Sequence, residues 1–223
     1  MLTSLVGSEM CIRDRSGEIY EVVDRTKLLT KRDENADLTK VCTSNIDDLS
    51  DLFRQRDFNQ EIGNWDVSSV KNMRQLFRSS TFNQDISKWD VSSVNNMSSL
   101  FLQSDFNQSI SDWNVNSVED MSSMFSLSKF NGDISSWEVS NVTNLASMFF
   151  GTPFNNDISN WDVSSVTDMS GMFYNSSFNQ NISNWDVSQV TAMGNMFNGA
   201  PFNQVISGWR VFNVTNMKSM FNN

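Results

Sequence analysis

Apolar and polar positions alternate along this chain on a period that does not drift. Trp stands at 65, 89, 113, 137, 161, 185 and 209, and every interval is 24 residues. Residues 82–101 read FNQDISKWDVSSVNNMSSLF, and residues 178–197 read FNQNISNWDVSQVTAMGNMF. A fixed interval of this length marks a repeat architecture, in which each unit covers the apolar face of its neighbour. The invariant columns are an opening Phe (Phe58 to Phe202), an Ile (Ile62 to Ile206), the Trp, two Val (Val67 to Val211 and Val70 to Val214) and a second Phe (Phe77 to Phe221).

Two spacings coexist within a unit. The alternation Trp65, Asp66, Val67 puts Trp and Val on one face of a short strand and Asp on the other. Val70, Met73 and Phe77, widened by Leu76, then follow the stripe of a helical face. Each unit is therefore predicted to be a short strand, a tight corner and about two turns of helix. Gly151 with Pro153 and Gly199 with Pro201 read as helix stops, with Ser or Asn in the other units. A lone unit has too few apolar side chains to offset the ordering of its backbone, so the units must stack.

The run Ile62-x-x-Trp65-x-Val67-Ser68-x-Val70 resembles the strand of a leucine-rich repeat. The continuation Val166-Thr167-x-Met169-Ser170-x-Met172-Phe173 is similar to one branch, the BspA-like leucine-rich repeats of bacterial surface proteins and lipoproteins. The resemblance covers residues 38–223 and departs from ordinary leucine-rich repeats where Val replaces their buried Asn after the strand. It implies an α/β repeat solenoid, a right-handed coil of short parallel strands and short helices. It also implies an extracellular or cell-surface location.

One period before Trp65, residues Leu38, Val41, Ile46, Leu49, Leu52 and Phe53 fit the columns of a degenerate first repeat. Together with Ile19, Val22, Val23, Leu28 and Leu29, predicted to form a strand and a short helix, they make residues 16–57 an N-terminal cap. Residues 1–15 look non-native, because Met10-Cys11-Ile12-Arg13-Asp14 resembles a translated transposon-end adaptor. They are no signal peptide, lacking a basic start and an adequate apolar run. Residues 58–223 form seven repeats, and the array reads as a C-terminally truncated piece of a longer one.

The formal net charge is −10, which disfavours nucleic acid and anionic membranes as partners. No apolar run approaches a membrane span. The chain has no His, which removes Ser-His-Asp and Cys-His chemistry and imidazole metal sites. No catalytic residue, metal or cofactor is nominated. With Cys11 in the non-native segment, Cys42 stands alone and no disulfide framework exists.

The candidate site is the outward-facing column Asp66, Asp90, Asn114, Glu138, Asp162, Asp186 and Arg210, together with Phe212. Strands about 4.8 Å apart would set neighbouring carboxylates repelling by about 1 kcal/mol in water and about 3.5 kcal/mol at an effective dielectric of about 20. Three offsets are open: hydrogen bonds to Ser68, Ser92 and their equivalents, a protein or glycan partner, or calcium. The Asp-x-Asp-x-Gly spacing of dedicated calcium loops is missing. Arg210 either pairs with Asp186 or, with Phe212, anchors a contact. The Asn column (Asn59 to Asn203) is predicted to bond backbone in ladder fashion, and the Met pairs and the Trp column to fill the core. Three functions fit: a non-enzymatic module binding protein or glycan through the acidic face, a spacer without a ligand, or an ice- or crystal-binding face on Thr143, Thr167, Thr191 and Thr215.

Overall fold

The computed structural model describes residues 11–13 and 18–222. The rest of the segment predicted to be non-native lies outside the described residues. Three strands and one helix open the chain: β1 (Cys11–Arg13), β2 (Ile19–Val22), α1 (Arg25–Asp33) and β3 (Val41–Cys42). They form one small sheet in which β2 lies between β1, antiparallel to it, and β3, parallel to it. Asp24 caps α1 by accepting the Lys27 amide at 2.8 Å, and Leu28 is the buried side chain of the helix.

Beyond β3 the chain folds into coils that stack in register, each offset from the next by one sequence period. Single parallel bridges link Asp48, Asn72, Asn96, Asp120, Asn144, Asp168, Ala192 and Asn216 in one continuous file. The strand predicted at 65–67 and the helix predicted at 70–77 do not form; the backbone there is a chain of tight turns. Trp65 N–H donates to the Ile62 carbonyl, Val70 to Val67, Leu76 to Met73 and Ser80 to Phe77. Each pair is the first and fourth residue of a turn. Both ends of a turn point inward, and tip residues such as Ser68 and Ser69 point out, although Gln75 and Ser98 at turn tips are buried.

Helix gives way to turns for two reasons. The amides of Met73, Gln75, Phe77 and Ser79 donate to Asn96, Ser98, Leu100 and Leu102 of the next coil at 2.7–3.0 Å, so they are not available to carbonyls four residues back. Gln75 and Ser79 also hold φ of 58° and 53°, and the equivalent residues of other coils do the same, including Ser99, Ser123, Ser147 and Gly171. Left-handed residues at every fourth position cannot sit inside an α-helix. The many Ser, Asn and Gly residues here are weak helix formers that favour turns.

The interior is a continuous apolar column. Trp65 through Trp185 are each 3% exposed, and Phe77 through Phe173 in the second Phe column are fully buried. Phe77 and Phe82 stack at 4.0 Å within a coil, and each column stacks on the next coil at 5.5–5.9 Å and 6.0–6.5 Å. Each indole Nε1–H donates to the carbonyl of the preceding coil's Ile column at 2.9–3.2 Å, from Trp65 on Leu38 to Trp209 on Ile182. The indoles therefore hold together the side of the coil where no strand ladder exists.

The hydrogen-bond ladder has a direction. Its turn-segment amides face the following coil, so the first coil presents the carbonyls of Asp48, Ser50 and Leu52 to the cap. Arg25 donates to Asp48 O and Ser50 O at 3.0 and 2.9 Å, and Arg32 donates to Leu52 O at 2.8 Å. Two guanidinium groups on α1 thus stand where the amides of a preceding coil would be. In the outermost coil Trp209, Val211 and Val214 are only partly buried, since no further coil among the described residues packs on them.

Candidate interaction surface

Three corners of a coil share one design, with an Asp or Asn side chain accepting the backbone N–H two residues on. Asp85 does this for Ser87, Asp90 for Ser92 and Asn96 for Ser98, at 2.9–3.1 Å. Glu61, Ser109, Glu138, Ala192, Val205 and Arg210 interrupt the design in individual coils. The candidate acidic column is the middle corner. Asp66, Asp90, Asn114, Glu138, Asp162, Asp186 and Arg210 are all exposed and in register, so the fold brings them into one file. They project from turns, not from a strand, because the turn ending at Trp65 and the next one starting at Val67 leave no ladder between them.

Local hydrogen bonds engage most of this file. Asp66 and Asp90 each accept the Ser hydroxyl two residues on at 2.6 Å and its amide at 3.1 Å. Asn114, Asp162 and Asp186 accept the equivalent amides. The Ser92 hydroxyl and then its backbone amide hold the Asp90 carboxyl below the usual carboxylate range. Ser188 does the same for Asp186, with a smaller contribution from the Arg210 charge. Asp85, Asp133 and Asp157 are lowered in the same way, chiefly by the backbone amides of Ser87, Ser135 and Ser159. Arg210 acts on Asp186 at a distance and makes no ion pair within 4.0 Å among the described residues. Phe212 is 93% exposed.

The remaining columns are structural. The Asn83 amide donates to Asn59 Oδ1 and the Asn107 amide to Asn83 Oδ1, both at 2.9 Å, and the ladder continues to Asn203. Thr143, Thr167, Thr191 and Thr215 turn their hydroxyls onto the carbonyl of the preceding coil at 3.1–3.2 Å. The four Thr residues themselves remain exposed. Among the described residues no cluster of three or more Cys, Asp or Glu side chains is placed to hold a metal ion. Two open grooves of about 500 Å³ are present, one beside Tyr20, Lys40 and Gly63 and one beside Asn116, Glu119 and Thr143.

One surface was not nominated from sequence. The stacked turns form a face whose file runs Arg54, Arg78, Leu102, Ser126, Phe150, Tyr174, Asn198. Phe150 and Tyr174 are half-buried there with rings stacked at 4.9 Å, and Leu127 beside them is 45% exposed. The signal was available, because Leu127, Phe150 and Tyr174, with Leu102, interrupt columns whose remaining members are polar or Gly. The helix expectation hid it by assigning the segment to a helix end.

No curated protein and no solved structure matches this chain. The family described as Mycoplasma protein of unknown function, DUF285, matches residues 23–129, 100–176 and 152–223, overlapping stretches of a tandem repeat. Because those matches run from the cap through the last coil, the protein belongs to the DUF285 family.

Proposed function

We propose that this protein is a non-enzymatic interaction module, a solenoid of the BspA-like leucine-rich-repeat kind displayed on a cell surface, which binds a protein or glycan through its file of acidic corners. The observation that carries this reading is the exposed column from Asp66 to Asp186, held in register by corner hydrogen bonds. A carboxylate already fixed by its Ser neighbours loses little further freedom on binding, which favours affinity per contact. Hydrogen bonds from Ser92 and Ser188 lower the pKa of Asp90 and Asp186, which favours the charged form of these two members of the file. Repetition of one corner suits binding by extended area rather than chemistry in a pocket.

A second reading, a spacer with no ligand, draws support from the uniformity of the core and ladders. Joint charge reversal of Asp90, Asp162 and Asp186 to Lys separates the two. Purified wild-type and reversed proteins are applied to an array of glycans and extracellular proteins. The binding reading expects a set of ligands that the reversed protein loses. Equal retention by both proteins would remove the acidic file from consideration, and absence of any ligand would favour the spacer.

A further inference from the structure

The turn face carries an arrangement that stability alone does not select. Leu127 holds φ of 56° and leaves 45% of its surface in solvent. A bulky residue in the left-handed region is strained, and exposed Leu gains little in return. The same place in other coils is occupied by Gln55, Ser79, Gln103, Gly151, Asn175 and Gly199. Room has been made for it: a Cβ at Gly151 would meet Leu127 Cδ2 at 2.6 Å, so the Leu side chain lies across Gly151. Beside it Phe150 and Tyr174 stack at 4.9 Å with planes 7° apart. The backbone fastens these three residues together, with Leu127 N–H on Phe150 O and Gly151 N–H on Tyr174 O at 2.6 and 2.8 Å.

The same file is basic at its cap end. Arg54 and Arg74 share one carboxylate, Asp51, at 3.2 and 3.7 Å. Arg78 touches Gln75 Oε1 at 3.2 Å, has no carboxylate within 4.0 Å among the described residues, and leaves a buried Nε without a partner. On a chain of net charge −10, a face that joins three Arg to exposed Leu127 and half-buried Phe150 and Tyr174 is a local reversal of character. Arg and aromatic side chains together are the usual anchors of a protein contact.

We infer that the turn face from Arg54 to Tyr174 is a docking surface for an extended protein segment carrying carboxylates next to aliphatic or aromatic side chains. The segment runs along the stack, its acidic residues towards Arg54, Arg74 and Arg78 and its apolar residues on Leu102, Leu127, Phe150 and Tyr174. Charge complementarity selects this occupant over a basic peptide. The surface is separate from the acidic corners, so either can fail without the other.

The test is selection of a random peptide library, displayed on phage, on immobilised full-length protein. Enriched sequences should combine Asp or Glu with Leu, Phe, Trp or Tyr. A synthetic peptide of the leading sequence should bind about tenfold more weakly to a Leu127→Gln, Phe150→Ser, Tyr174→Asn triple variant. Those replacements are residues that neighbouring coils already carry at the same columns, so melting should be unchanged or later. Arg78→Ser should weaken the peptide about threefold without touching the apolar cluster, which gives a second readout if the triple variant melts early. The Lys reversals of Asp90, Asp162 and Asp186 should leave this peptide's affinity intact. Enrichment of basic sequences, no enrichment, or equal affinity for the variants would overturn the proposal. A wild-type dimer that the triple variant abolishes would also overturn it, in favour of a second copy on this face.

Discussion

Ser123 sits in a turn with φ of 55°, and its amide donates to Ala146 O of the next coil at 2.8 Å. Replacing it with Gly and with Val turns that backbone into a measurable sign. Gly occupies the left-handed region without strain, and its extra unfolded-state entropy takes back about 0.5–1 kcal/mol. Ser123→Gly should therefore stay within about 1 kcal/mol of wild type. Val is the worse kind of occupant, because left-handed backbone costs an L-residue about 1–2 kcal/mol and β-branching adds to it. The Gly variant should exceed the Val variant by about 2 kcal/mol, or about 4–8 °C in melting temperature for a chain of this size. Inside a helix the order reverses, since Gly is there a few tenths of a kcal/mol worse than Val. Thermal melts and urea midpoints of both variants supply the comparison, with Ser122, which is not left-handed, as the control position. A Ser123→Val protein as stable as the Ser123→Gly protein would refute the turn description.

Removing both cap guanidinium groups, Arg25→Ala with Arg32→Ala, deletes three charge-assisted bonds at 2.8–3.0 Å. Discounted for partial exposure, the loss should be about 3 kcal/mol, read from urea unfolding; an unchanged midpoint would mean the carbonyl row needs no cap. Trp137→Phe removes the 3.1 Å indole bond to Ile110 O, which keeps the Trp113 amide at 3.2 Å, and should cost about 1–2 kcal/mol from the lost bond and the lost indole volume. Trp209→Phe, in the half-exposed last coil, should cost under about 1 kcal/mol because water can replace the indole; equal losses would contradict the role given to the indole ladder. The carboxyls of Asp85, Asp90, Asp133, Asp157 and Asp186 are lowered in the folded state. Their stabilising contribution is complete above the unfolded value of about 4 and is lost as pH falls through the lower folded values. Melting temperature should therefore be flat from neutral pH to about 5 and decline below about 4, and Asp90→Asn with Asp186→Asn should reduce that decline.

Which residues face inward was legible in the chain, because a period that never slips forces each column to one environment. Phe, Ile, Trp, Val and Met columns are buried through the inner coils, with Met217 and Phe221 of the last coil exposed, and the Asn column forms its ladder. Secondary structure was not legible, for a specific reason. Val70, Met73 and Leu76 are three apart, and that spacing serves both a helix stripe and a succession of turns whose first and fourth residues point in. Choosing between them requires knowing that Gln75 and Ser79 are left-handed, and neither is the Gly that would announce it. The indole acceptors were hidden as well, since a carbonyl 27 residues back carries no side-chain signature. Arg25 and Arg32 gave no hint of capping until the ladder's direction was known. The acidic column was visible as a file, whereas its geometry as a hydrogen-bonded corner was not. Leu127, Phe150 and Tyr174 carry no periodic signature, because each departs from its column instead of repeating it.

Alternate turn amides of this fold reach the neighbouring coil, and scalar couplings across hydrogen bonds read those pairings one by one. In perdeuterated protein labelled with 15N and 13C, the amide nitrogens of Ser123 and Phe125 should couple to the carbonyl carbons of Ala146 and Met148, their partners at 2.8 and 3.0 Å. Couplings from those nitrogens to the carbonyls of Glu119 and Met121, four residues back, would instead describe a helix and contradict the stacked-turn architecture.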